Sequence, residues 1–128
     1  MIIIKTNLVH LFNLSGMAWF GWVLFVEKDA TPETILEEKI HARQWFEMLP
    51  IAVLIQIPFI IWGWPIWLGI LLGYWSRWLW YVIEYFIKRG EYGDWAYYWI
   101  SFEAEAKENK SNPHYLKKRK AYAWINYL

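Results

Sequence analysis

Cysteine is absent, so disulfides and thiolate metal ligands are excluded from this chain, although its compartment stays open. Charge of one sign is also lacking. Thirteen Lys and Arg against twelve Asp and Glu leave a net charge of +1, too little to attract a polyanion, and no nucleic-acid partner is expected. Residues 1–7 lack a basic segment followed by a long apolar core and a small-residue cleavage site, so no signal peptide is read there. Between Glu47 and Arg77 charge disappears altogether, and Gln56 is the one strongly polar side chain before Ser76. A run of that length can enter a bilayer.

What is present is aromatic. The 128 residues, one domain's length, are 58% hydrophobic and include twelve Trp, nine Tyr and seven Phe, which lies above the ordinary globular range. Trp and Tyr favour membrane interfaces, where the ring is buried while its N–H or O–H stays wet. Pro50, Pro58 and the Gly63-Trp64-Pro65 turn interrupt the apolar run, so we expect two helices folded into a hairpin, Pro32 to Trp62 and Pro65 to Lys88. The turn carries no Lys or Arg, whereas every basic residue lies on the side of the termini. The positive-inside rule then puts the chain in a membrane with both termini cytoplasmic. The competing arrangement is a buried hairpin in a soluble protein, for which so small a domain has little surface to cover these side chains.

Residues 1–29 have a different pattern. Met1 to Thr6 and Ala18 to Val26 are rich in β-branched and aromatic residues, with Asn7, His10, Asn13, Ser15 and Gly16 between them, as in an antiparallel β-hairpin. A transmembrane helix from Leu8 to Val26 is the runner-up. Past Lys88-Arg89-Gly90, the stretch Gly93 to Lys110 is predicted helical, with Asp94 as N-cap and Trp95, Tyr98, Trp99 and Phe102 as a packing stripe. Pro113 opens a last helix carrying Lys117, Lys118, Arg119 and Lys120, which serves either as a headgroup-facing membrane surface or as a solvated face. The fold class expected is a mainly α membrane protein of one domain. It comprises a small N-terminal β-hairpin (1–29), a long membrane helical hairpin (31–89) and two C-terminal helices (93–128).

One segment carries chemistry, Leu36-Glu37-Glu38-Lys39-Ile40-His41-Ala42-Arg43-Gln44. A zinc-hydrolase signature of the form HExxH needs ligands at i and i+4, which a helix puts on one face, and a Glu beside the first to work on metal-bound water. Here Glu37 stands at the first position, Glu38 at the second and His41 at the fifth. Glu38-x-x-His41 is also half of a di-iron carboxylate motif, but the chain has no second Glu-x-x-His.

The chain resembles a family of small, mostly uncharacterised HExxH-containing membrane-associated proteins of bacteria and phages regarded as zinc metallopeptidases. The first His of the motif is replaced by Glu. The likeness runs through Ile35 to Leu49, Leu79 to Lys88, Ile100 to Ala106 and Asn112 to Trp124. Ser101-Phe102-Glu103-Ala104-Glu105-Ala106 is also similar to the third-ligand helix of integral-membrane zinc proteases of the CAAX-processing type. In that pattern a Glu is followed three residues later by Ala and then Asp; Glu103 and Ala106 fit, and Lys107 stands where the Asp would be.

The resemblance implies Glu37, His41 and Glu103 as metal ligands and Glu38 as general base, with a peptide as substrate. Two carboxylates and one imidazole form a harder set than His, His and Glu, so Mn2+ or Fe2+ competes with Zn2+. Glu84 sits among aromatic residues, where an isolated carboxylate is costly. A hairpin folded about Gly63-Trp64 would bring it level with Gln44 and His41, as an outer partner to the imidazole; Arg43 or Arg77 are the structural alternatives. Each feature has a plain structural explanation as well. Glu37 and Glu38 suit a helix N-terminus, His41 can pair with Glu37 one turn away, and Glu103 and Glu105 can be solvated. The functional expectation is a membrane-embedded metallopeptidase-like protein with a degenerate zinc site; the alternative is an inactive pseudoenzyme or a structural membrane protein.

Overall fold

The computed structural model describes residues 1–12, 14–19 and 21–128, the side chain of residue 74 excepted. It is mainly helical with one small sheet, and it divides into two compact units, residues 1–46 with 101–128, and residues 47–100.

In the first unit, strands β1 (Ile2–Lys5), β2 (Gly16–Trp19) and β3 (Val23–Val26) form a sheet in the order β1-β3-β2. β2 and β3 are the hairpin, with Met17 opposite Phe25, whereas β1 runs parallel to β3, with Ile3 opposite Leu24. An antiparallel pairing of residues 1–6 with 18–26 is thus corrected, and no helix spans residues 8–26. The cause is local. Gly21, at φ +72, turns the chain in the middle of the expected strand, where Trp22 N donates to Trp19 O at 3.1 Å. The two halves pair with each other, and β1 is left to add at the far side of β3. Parallel neighbours require a longer connection, and a 3-10 segment at Asn7–Phe12 begins it. Asn13 and Phe20, which fall within the expected hairpin, lie outside the described residues.

α1 (Pro32–Ile61) starts where the sequence places it. The Thr31 hydroxyl accepts from Thr34 N at 3.2 Å, and Pro32 occupies the first position, where no N–H is needed. Its first half belongs to this unit and buries Ile40, His41, Ala42, Gln44 and Trp45, while Phe46 meets Trp22 edge-on at 4.9 Å. α4 (Ser101–Asn109) and α5 (Tyr115–Lys118) follow in the same unit, then a 3-10 segment at Ala123–Tyr127 that sets Trp124 against Phe102, 4.8 Å between rings.

The second unit holds the rest of α1, then α2 (Ile66–Tyr92) and the short α3 (Ala96–Trp99). Gly63, at φ +70, makes the turn between α1 and α2, and Trp64 N donates to Phe59 O at 2.9 Å. Small residues let the two helices approach. A Cβ on Gly73 would come within 3.0 Å of Ala52 O, and one on Gly69 within 3.0 Å of Gln56 Cγ. Tyr92 and Trp99 stack at 4.8 Å. Among the described residues α1 is long and apolar enough to cross a membrane. Apolar side chains face outward from both helices, Val53, Leu54 and Ile57 on α1 and Trp67, Ile70 and Ile83 on α2, while Arg77 and Glu84 are buried.

The C-terminal expectation of two continuous helices needs correction. Ile100, at φ −59 and ψ 130, breaks the stretch Gly93 to Lys110 into separate pieces, and Asp94 makes no side-chain cap. The expected aromatic stripe divides accordingly, with Phe102 fully buried but Trp95, Tyr98 and Trp99 exposed. Beyond Pro113, the helix stops at Arg119, which is extended, and Tyr122 adopts a left-handed conformation at φ +56.

Candidate metal centre

α1 presents Glu37 and His41 one turn apart, and α4 brings Glu103 to the same place. One ligand atom from each lies within 4.8 Å of the others, with His41 and Glu103 buried and Glu37 partly so. This buried group could hold a metal ion. His41 Nε2 is 3.8 Å from Glu103 Oε1, beyond hydrogen-bond reach, and among the described residues it has no other polar partner. The opposite ring nitrogen, Nδ1, lies 2.9 Å from Gln44 Oε1. An imidazole nitrogen close to two carboxylates and hydrogen-bonded to neither is a donor set with room for a cation.

Two lysines share the carboxylates. Lys107 Nζ is 3.4 Å from Glu103 Oε2, one turn along α4, and Lys110 Nζ is 3.2 Å from Glu37 Oε2. Burial pulls the Lys107 ammonium below its usual range, against the opposing pull of Glu103 and Glu37. At the position where the CAAX-type pattern would have a carboxylate, this chain thus has a cation beside Glu103. Glu38 points elsewhere, toward the sheet. A Cβ on Gly16 would fall 2.6 Å from Glu38 Oε1, so the carboxylate lies against the backbone of β2.

Behind the cluster stands a second buried carboxylate, Glu105. It receives the Tyr115 hydroxyl at 2.8 Å and the Arg119 Nε on Oε1, and the Arg119 Nη2 and the Gln44 amide, each at 3.0 Å, on Oε2. Arg119 is therefore a correction to the membrane-surface assignment. Its side chain is withdrawn into this pair, because a fully buried carboxylate demands a charge partner, whereas Lys117, Lys118 and Lys120 remain exposed. Gln44 is the neighbour of the imidazole that was expected; Glu84 belongs to the second unit. Sequence reasoning gave no role to Tyr115, Lys110 or Gly16, noted Lys107 only as a departure from the CAAX-type pattern, and took Glu105 as a solvated residue, which its burial corrects.

No protein-family model matches the chain, and comparison with curated proteins and with solved structures finds no similar protein.

Tyr115 supplies a pH test of this construction. Burial, and then the hydrogen bond it donates to Glu105, push its hydroxyl well above the usual 10.0. The folded chain keeps a proton that the unfolded chain releases, so the contribution is complete below pH 10 and is lost as pH rises toward the folded value. Thermal unfolding between pH 9 and 11 should therefore show a fall in stability that is shallower in Tyr115→Phe than in the wild type.

Proposed function

We propose that the chain is a membrane-embedded, metallopeptidase-like protein whose degenerate site binds a divalent cation through Glu37, His41 and Glu103. The convergence of these three groups, two from one helical turn and one from α4, is the observation that carries this reading. It is the pattern expected of the HExxH-type family with the first His exchanged for Glu. The bilayer placement is supported by the apolar length of α1 and by the outward apolar side chains of the second unit, and the distribution of Lys and Arg favours cytoplasmic termini.

The lysines bear on which ion suits the site. Exchange of a neutral ligand for Glu37 adds a negative charge, and Lys110 beside it restores the balance. The two hard carboxylates still favour Mn2+ or Fe2+ more than a His-His-Glu set does, while Zn2+ remains acceptable to His41. A bound divalent ion would acidify water and polarise a peptide carbonyl. Glu38, next in sequence to Glu37, is the general base of this reading; its carboxylate rests against β2 and would have to turn toward the cluster to take the proton from water and hand it to the departing amine, as a C–O bond forms and the C–N bond breaks. β2 has β3 on one side alone among the described strands, and an extended peptide pairing along its other edge would lie beside the Glu38 carboxylate. A non-catalytic reading is favoured by one observation, the pairing of both carboxylates with lysines, which would serve equally as a structural ion-pair cluster.

Carbonate-washed membranes should retain the chain, and detergent should be required to extract it. A stable monomer recovered in buffer alone would defeat the bilayer placement.

Metal content separates the two readings of the cluster. Elemental analysis after dialysis should show uptake of zinc or manganese by the wild type and its loss in His41→Ala. Glu37→His should shift preference toward zinc. Lys110→Met removes a cation near the site and should raise affinity roughly threefold to tenfold, a modest change because Lys110 is partly solvated. An ion-pair cluster would take up no metal in any of the four proteins.

Hydrolysis tests Glu38. With metal-loaded protein in detergent and a mixed peptide library read by mass spectrometry, Glu38→Gln should cut turnover by about 10²–10⁴-fold at unchanged metal content. No cleavage by the wild type with zinc, manganese or iron would favour the non-catalytic reading.

A further inference from the structure

Gln44 is fully buried, both ends of its amide have partners, and at one end the hydrogen-bonding role of those partners is fixed. One end lies 3.0 Å from Phe102 O and 3.0 Å from Glu105 Oε2; the other is 2.9 Å from His41 Nδ1. A main-chain carbonyl can only accept. Glu105 is held to the same role by Arg119, whose guanidinium can only donate and grips both of its oxygens, and by the Tyr115 hydroxyl. The amide nitrogen must therefore face Phe102 and Glu105, because a flipped amide would set its oxygen against two acceptors in a buried site. The amide oxygen is then turned to His41. It can only accept, so Nδ1 must carry the hydrogen. When His41 is neutral, the lone pair is left on Nε2, on the side where Glu37 and Glu103 converge.

We infer that Arg119, Glu105 and Gln44 form a positioning relay that locks His41 into the Nδ1–H tautomer. That tautomer is the minor one for a histidine free in water, which favours hydrogen on Nε2. None of the three residues reaches the converging ligand atoms, and each acts through the next. The hydrogen-bond logic stands on the geometry alone. Its use, presenting a ready Nε2 donor to a cation, rests on the metal-site reading above.

The chain has three histidines, so the full-length protein labelled with 15N-histidine in detergent gives a readable ring spectrum, in which His41 is assigned by its absence from His41→Asn. In mildly alkaline buffer the wild type should show His41 with Nδ1 protonated and Nε2 bare. Zinc should move the Nε2 resonance and leave the Nδ1 proton in place. Gln44→Met should abolish the tautomer preference and weaken zinc binding by about 10- to 100-fold. Glu37→Gln should weaken zinc binding with the tautomer unchanged. Arg119→Lys keeps the charge but loses the two-pronged grip, and should fall between the wild type and Gln44→Met in tautomer population. Neutral His41 protonated on Nε2 in the wild type would overturn the relay without need of any variant, as would a folded Gln44→Met that keeps the Nδ1–H form. A wild type with the Nδ1–H form that takes up neither zinc nor manganese would support the relay and overturn the metal site instead.

Discussion

A carboxylate with no exposure to water must have its charge answered inside the protein or not be charged at all, and Glu105 is such a group. Its two oxygens take Arg119 in a two-pronged grip, the Tyr115 hydroxyl and the Gln44 amide. These partners come from α1, from α5 and from the residue that ends α5, so one buried charge ties together segments separated by 61, 10 and 14 residues. Truncating a single partner of such a pair typically costs about 3–5 kcal/mol, more than most single apolar contacts. α4 consequently has no freedom to rotate about its axis. With Glu105 pinned, Glu103, about 200° round the helix, is directed at His41. Both sides of α4 are thereby buried.

The ligand cluster is in electrostatic tension that the lysines relieve. Two carboxylates held near each other repel. Lys110, partly solvated, contributes at most about 1 kcal/mol to Glu37 and is readily displaced. Lys107 is more enclosed, and its depressed ammonium basicity reflects a site where full charge is poorly accommodated. A cation held by Glu37, His41 and Glu103 would take over part of the neutralisation that the lysines supply. The same geometry suits either a metal site or an ion-pair network.

Features encoded over one or two helical turns were legible in the sequence. The Thr31-Pro32 start of α1, the Gly63 turn and the facing of Glu37 and His41 follow from caps, turns and the i, i+4 period, and all three are present. Glu103 was reached through a resemblance, since no local pattern says which distant carboxylate closes a site. Arg119 could not be told from its basic neighbours, because a charge run does not reveal which member lies within reach of a buried acid. The parallel placement of β1 depends on the short hairpin that forms beside it. The break at Ile100 was masked by an aromatic pattern of perfect helical period, whose members divide between the two units; periodicity records a repeating preference for apolar residues and is silent on whether they share one helix.

Gly16 shows how a sheet edge and a carboxylate constrain each other. Glycine weakens a strand, since it has no side chain to pack and more backbone entropy to lose, and β2 is only four residues long. At this position any larger residue would overlap Glu38 Cγ and Oε1 at 2.6 Å, so the carboxylate or the strand would have to retreat. The cost to the strand is offset by a close approach between a mostly buried acid and the main chain of an edge strand. What the glycine makes possible is that close approach, since the carboxylate rests against β2 without displacing the strand.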